Sequence, residues 1–411
     1  MLKFASLLLA GTLLLATGAS AKPIVPQQLL GFVAGSSGVS VVKLDATTLR
    51  RVSKLATGAG TSASYVGSSV GGARGAISTA ERGGTLRFLD LRRMRWEGSV
   101  PVAGGVRASL WNYADRLVVV TGGPTAAVRV IDPITRKIRA TYALRGPVTA
   151  VSSTSEELVA VIAPLDGIGP SRLAVVDDRG RVRLAPLPQI RSGGDVVETT
   201  GPEPFVGLFE QPAVAVDPLG KRAVAIGADG SVADVRLDTL AVTAKTLPSR
   251  TLARGNKVAI GHARSARWID ATTIALTGSD GWLENGVQRW APAGLQLVDV
   301  RGWSTRTLDS TTTDTAFTGT TLLAFGGYWV GQGEGVFRAV GDGFAGYTRD
   351  GARTFHVFEG RLVMPACISG IYAYFADQNR TQFTIVNTQT GAIVGTAQTR
   401  TPTALASLFR F

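Results

Sequence analysis

The chain has 411 residues, a formal net charge of +13, 45% hydrophobic residues, 50 glycines and one cysteine. A chain of this length can bury a large core, and a lone cysteine excludes any internal disulfide, so burial has to supply the stability. One cysteine and two histidines also exclude a zinc site built on the usual Cys/His spacing.

Residues 1–21 read as a secretory signal. Lys3 supplies the positive start, Leu7 to Ala16 the apolar stretch, and Ala19-Ser20-Ala21 a small-x-small cleavage site that leaves Lys22 first. The apolar stretch is shorter than the roughly 20 residues of a spanning helix. The expectation is an exported protein, periplasmic, wall-associated or extracellular, with a linker at 22–29 and a single domain at 30–411. Without Lys3 the balance is 42 basic to 30 acidic side chains. That surplus favours weak, salt-dependent contact with anionic envelope polymers. Export argues against a nucleic-acid partner.

From residue 30 onward a unit repeats. A strand-like run ends in Asp or Asn, then turns into a second run, at Asp45, Asp90, Asp132, Asp177, Asp238, Asp299, Asp350 and Asn387. The clearest copy is VRVIDPITRKIRATYAL, Val128 to Leu144. From Asp45 to Asn387 the units average roughly 49 residues, a length that fits four short strands and their loops. Unit three divides into runs at Ala108 to Tyr113, Arg116 to Thr121, Ala127 to Asp132 and Ile138 to Leu144. The run LVVVT, Leu117 to Thr121, is apolar on both faces, as a strand buried between two neighbouring sheets has to be. The last run of each unit mixes apolar residues with Arg or Thr, as an outer edge does. Long stretches of helical period are missing.

These units resemble the degenerate bacterial propeller repeats of the YVTN, NHL and quinoprotein-like kind. The resemblance covers almost all of residues 30–411 and lies at the level of fold. It implies an all-β propeller of four-stranded antiparallel blades packed radially. Eight blades follow from counting, with seven as the competitor because units five to seven are irregular. Residues 31–55 supply three strands, and Thr403 to Phe411 is expected to add the missing inner one and close the ring. Neither a repeated Trp-Asp signature nor an adjacent cysteine pair is present, so no family activity carries over.

The recurring acids are expected to fix turns, each accepting a hydrogen bond from a backbone N–H two residues on. Function is expected where units five to seven depart from the repeat. Three insertions fall in loops of one face: Leu187 to Gln211, Ser279 to Gly294 and Gly326 to Gly343. They carry Trp282, Glu284, Asn285, Trp290, Tyr328, Trp329, Gln332 and Glu334. Flat aromatics beside carboxylates and amides suit a carbohydrate, a peptide or an envelope protein. A competing role for the same aromatics is packing of the loops onto the rim.

A second candidate is GHARSARW, Gly261 to Trp268, read as the innermost strand of unit six. His262, Arg264 and Ser265 would border the central channel, with Asp270 and Asp314 as the nearest acids. Propeller lactonases and lyases place such groups near their axis, so a hydrolase or lyase is the alternative function. His356 is expected on an outer strand, away from His262. A third feature is a basic set after the turns: Arg50, Arg51, Arg92, Arg93, Arg95, Arg136, Lys137, Arg139, Arg179, Arg181 and Arg183. It would either dock the protein on an anionic polymer or block edge-to-edge aggregation. Asp-Gly pairs at Asp229, Asp280 and Asp350 read as turns, and Cys367 in VMPACISG as a small buried hydrophobe. No metal or cofactor site is expected. The preferred reading is an exported, monomeric, non-catalytic binding or scaffold module.

Overall fold

The computed structural model describes residues 25–408 apart from 37, 59, 61, 70–71, 80–83, 112–115, 124–125, 199–204, 249–256, 285–286 and 334–335. The secretory signal expected at 1–21 therefore lies outside the described residues. Every regular element among the described residues is a strand, and the chain is an all-β propeller of four-stranded antiparallel sheets. No described helix is long and apolar enough to cross a membrane.

The repeat of the sequence is the sheet of the structure. Unit three forms the sheet Val106–Trp111, Leu117–Thr121, Ala127–Asp132 and Lys137–Ala143. Units two and five form equivalent sheets from Ala63–Ser68 to Arg95–Pro101 and from Ala213–Val216 to Val242–Thr246. Unit eight does so from Cys367–Ser369 to Ile393–Gln398. Within each, the chain moves from the inner strand to the outer one.

Side-chain alternation explains how the sheets stack. In Leu117–Thr121, Val118 and Val120 pack toward unit four, against Leu158, Ala160 and Ile162. Leu117 and Val119 point the other way, against Phe88 and Val100 of unit two. Val159 and Val161 in turn meet Val214, Ala223 and Val235 of unit five. A strand apolar on both faces is thus consumed by two neighbours, with a period of two residues setting which side chain goes where. The outer strand Lys137–Ala143 is exposed along its whole length, so its mixed composition costs nothing in lost burial.

At the chain ends, Thr403–Ser407 pairs antiparallel with Gln28–Gly35, which pairs with Gly38–Asp45. Leu29, Val42 and Leu405 share one cluster with Tyr374, Phe383 and Ile385 of unit eight. The buried Tyr374 hydroxyl donates to the Ala46 carbonyl at 2.8 Å. The outer run of unit one, expected at Leu49 to Leu55, is reduced to isolated bridges at Arg51 and Ala56.

The acid-capped turn holds in six of its eight positions. Asp45, Asp90, Asp132, Asp177, Asp299 and Asn387 each accept the backbone N–H two residues on. Units five and seven differ. The backbone bonds framing the unit-five turn start from Arg236, so Asp238 sits two residues late and takes the Thr239 N–H and the Arg236 guanidinium instead. In unit seven, Thr348 occupies the framing position and its hydroxyl donates to Asp350. A hydroxyl or a displaced carboxylate does the same local work, which is why spacing alone misplaced these two.

The N–H of Thr48, outweighing a small desolvation cost, holds the Asp45 carboxyl down to about 2, and the Arg301 guanidinium does the same for Asp299. A carboxyl whose folded pKa lies below its unfolded value, near 3.8, contributes stability that is present above that value. The contribution fades as pH falls toward about 2. Asn387 makes the same turn without a charge. Asp45→Asn keeps the turn but not the charge, so it is expected to lower the thermal midpoint at pH 7 and to flatten its decline between about pH 4 and 2. Parallel melting curves across that range check this, and an unaltered acid limb would refute it.

Candidate functional site

The three insertions are strands, where loops were expected. In unit four, Val182–Glu198 continues past its sheet and pairs with Phe205–Gln211, which runs parallel to the middle of Lys257–Trp268, at Gly261 to Ala263. In unit six, Thr273–Glu284 outruns its sheet and pairs with Val287–Pro292. In unit seven, Tyr328–Gly333 and Val336–Val340 form a hairpin that lies against Val287–Pro292. Three segments separated in sequence thus build one added layer over a face of units four to seven.

One row of this layer explains its packing. Phe209 is registered with Gly261, Gly261 with Gly281, and Gly281 with Trp290. A Cβ on Gly261 would lie 2.4 Å from the Phe209 ring, and one on Gly281 would lie 2.6 Å from the Trp290 ring. The bare backbone lets both rings lean inward and stack, with centroids 5.7 Å apart and planes 20° from parallel. Trp290 is accordingly engaged in packing.

Trp282 and Glu284 stand half-buried near the end of Thr273–Glu284, and Glu284 approaches Arg289 at 3.9 Å. Tyr328 is half-buried on the neighbouring hairpin. Trp329 and Gln332 belong to the same strand, but their side chains lie outside the described residues, as do Asn285 and Glu334.

The row beside the aromatic one carries the polar groups. His262 and Asp280 are cross-strand partners, with His262 Nδ1 2.9 Å from Asp280 Oδ1. Arg264 donates to the same oxygen at 2.7 Å, to the carbonyls of Ala263 and Ser279, and to Ala228 of unit five. All three residues are buried. Burial alone would raise the Asp280 pKa, but the His262 hydrogen bond and the Arg264 charge outweigh it and hold the carboxyl below its usual value. The Asp-Gly pair at Asp280 forms no turn, and Asp280 lies within the strand Thr273–Glu284. The acid partner of His262 is thus Asp280, and neither Asp270 nor Asp314. Asp270 caps its own turn through Thr272, and Asp314 takes the Thr315 N–H. His356 is on the outer strand Arg353–Val357, beside Asp342 and Glu359. Among the described residues, no group of three or more His, Cys, Asp or Glu side chains is placed to hold a metal ion. Cys367 is buried, which pushes its thiol up to about 12.

Gly261 to Trp268 does lie on the innermost strand of unit six. Below the added layer the inner strands of units three to six wall a cavity of ≈1250 Å³. Arg264 and Ser265 line it; His262 does not. The wall includes Arg107 and Arg267, which the reading of the sequence did not single out. Arg267 follows Arg264 by three residues in GHARSARW, a signal available in the sequence.

The basic set is partly absorbed by the structure. Arg139 pairs with Asp132, and Arg93 lies 3.9 Å from Asp90. Arg136 reaches the Glu97 carbonyl of unit two, and Arg183 the Asp238 carbonyl of unit five at 3.0 Å. These arginines tie neighbouring outer strands together. Exposed pairs of this kind are each worth up to about 1 kcal/mol.

The sequence matches no protein-family model and no curated protein. Among solved structures the chain is similar to the dihydro-heme d1 dehydrogenase NirN in complex with DHE. The TM-score is 0.56 at 10% identity, covering 93% of this chain and 76% of that one. It is also similar to apo AztD from Citrobacter koseri, with a TM-score of 0.53 at 9% identity over 92% of this chain and 97% of that one. At such identities the likeness concerns the fold alone: the chain is a β-propeller.

Proposed function

We propose that this is an exported, non-catalytic β-propeller binding module, a single domain over residues 30–411, whose partner docks on the added layer of units four to seven. The ring in this reading has eight blades, closed by the C-terminal strand pairing beside the N-terminal one. Each hydrophobic cluster lies between consecutive units, including units eight and one, which supports that count. The observation that carries the binding reading is the meeting of the second and third insertions. Val287–Pro292 lies against the strand Tyr328–Gly333, so Trp282, paired across from Arg289, and Tyr328 stand on neighbouring elements, which supports a shared docking region. Rigid scaffolds place recognition on such additions. The partner is an envelope protein, a carbohydrate or a peptide. His262 is committed to Asp280, away from the cavity wall, which favours binding over lactonase-like chemistry.

The test replaces Trp282 and Tyr328 together with Ala and leaves Trp290, a packing residue, in place. Cross-linking in envelope fractions is expected to capture a partner with the parent protein and to lose it at least tenfold with the variant. The thermal midpoint is expected to fall by only a few degrees. Lost stability with capture intact would overturn the reading.

A further inference from the structure

We propose that the central cavity is a binding site for a small anionic ligand bearing carboxylate or phosphate groups, gripped by Arg107 and Arg267. This site touches the added layer only at Gln211, lies apart from Trp282 and Tyr328, and does not depend on what docks there.

Charge is the first argument. The cavity wall carries the side chains of Arg107, Arg264, Arg267 and Arg349 against one carboxylate, Asp270. Asp270 already accepts the N–H and hydroxyl of Thr272. Arg264 is neutralised by Asp280 and held by three carbonyls. Arg349 lies over the Phe317 ring and donates to the Gly319 carbonyl. Among the described residues, Arg107 and Arg267 have no carboxylate at salt-bridge distance. They project from different walls, Arg107 from the inner strand of unit three and Arg267 from that of unit six.

The setting of Arg267 is the second argument. It is open to solvent yet walled by protein on most sides, the condition of a side chain inside a channel. An acid that acts on it is the half-buried Asp314, whose own partial burial disfavours a charge. A guanidinium stays charged under these conditions and offers a planar fork that matches carboxylate or phosphate oxygens two at a time. In a partly enclosed cavity that interaction is screened less than on the surface.

Room and polarity are the third. At ≈1250 Å³ the cavity exceeds the usual range for small-molecule sites, about 300–1,000 Å³. Thr149, Ser152, Ser153 and Ser265 add hydroxyls to the wall. Such a lining can pair with the oxygens of a hydroxylated acid that the arginines leave unsatisfied. A cavity kept only as a solvent-filled axis has no need of uncompensated cations on two walls, since each repels the other.

Calorimetric titration of the purified protein at low salt tests this, with citrate and inorganic phosphate as probes and glucose as the neutral control. Citrate, phosphate or both are expected to bind while glucose does not, and the stronger of the two anions assigns the headgroup. Arg267→Gln and Arg107→Gln are each expected to weaken that binding about tenfold or more, the loss of one charge-assisted pair. A double variant Arg50→Gln and Arg51→Gln, outside the cavity, is expected to leave it unchanged. If Arg267→Gln does not fold, as judged by circular dichroism, Arg107→Gln and Arg267→Lys carry the test. Absence of binding by both anions overturns the proposal. So does affinity that survives the cavity variants, or that falls equally in the outer double variant.

Discussion

Replacing Asp280 with Ala is expected to destabilise the protein by about 3–5 kcal/mol, the cost of leaving a buried charge without its partner. Arg264 would keep its bonds to the carbonyls of Ala263, Ser279 and Ala228, but no carboxylate would compensate its charge. His262 Nδ1 would lose its carboxylate partner in the same step. The junction at stake is where the inner sheet of unit six continues into the added layer, so the damage is expected to spread to both. Chemical denaturation measures the loss directly. A double variant, Asp280→Leu with Arg264→Met, is expected to recover part of it, because a buried pair replaced as a whole leaves no orphaned charge. A loss below about 1 kcal/mol in the single variant, the range of exposed ion pairs, would mean that solvent reaches the cluster.

Deleting residues 403–411 is expected to cost more than any single core substitution, whose usual range is about 2–5 kcal/mol. The strand Gln28–Gly35 would lose five registered partners, from Ser407 opposite Leu29 to Thr403 opposite Val33. Leu405 would leave the cluster that joins units one and eight, and the Ser369–Ser407 hydrogen bond would go with it. A bare inner edge would remain, and such an edge templates pairing with other chains. The expected result is a lower, broader unfolding transition and higher-order species in size-exclusion chromatography. A truncated chain that stays monomeric and melts within a few degrees of the parent would refute ring closure by this strand.

Much of the fold was legible because it is local. LVVVT announces a strand with two buried faces, and units two and four take one face each. The acid-capped turn was legible for the same reason, since its bonds join residues two or three apart. It was misplaced only where Arg236 and Thr348 hold the framing position. The candidate site was less legible. Asp229-Gly230 and Asp350-Gly351 do form turns, while Asp280-Gly281 runs through a strand. Nothing within the dipeptide distinguishes these cases. What decides Asp280-Gly281 is Trp290 folding back across Gly281, together with His262 and Arg264 meeting Asp280 from the facing strand.

The sequence by itself determined the repeat, the alternation that buries both faces of the inner strands, and the place of six of the eight acid-capped turns. All of these follow from a two-residue period and from short-range hydrogen bonds. Only the tertiary structure decided that the insertions of units four, six and seven join into one layer. It likewise decided that Phe209 stacks on Trp290 over two glycines, and that Arg107 and Arg267 look into a common cavity. Those contacts join residues far apart along the chain, and no local pattern encodes them, because each side chain gains its partner only when whole sheets have packed.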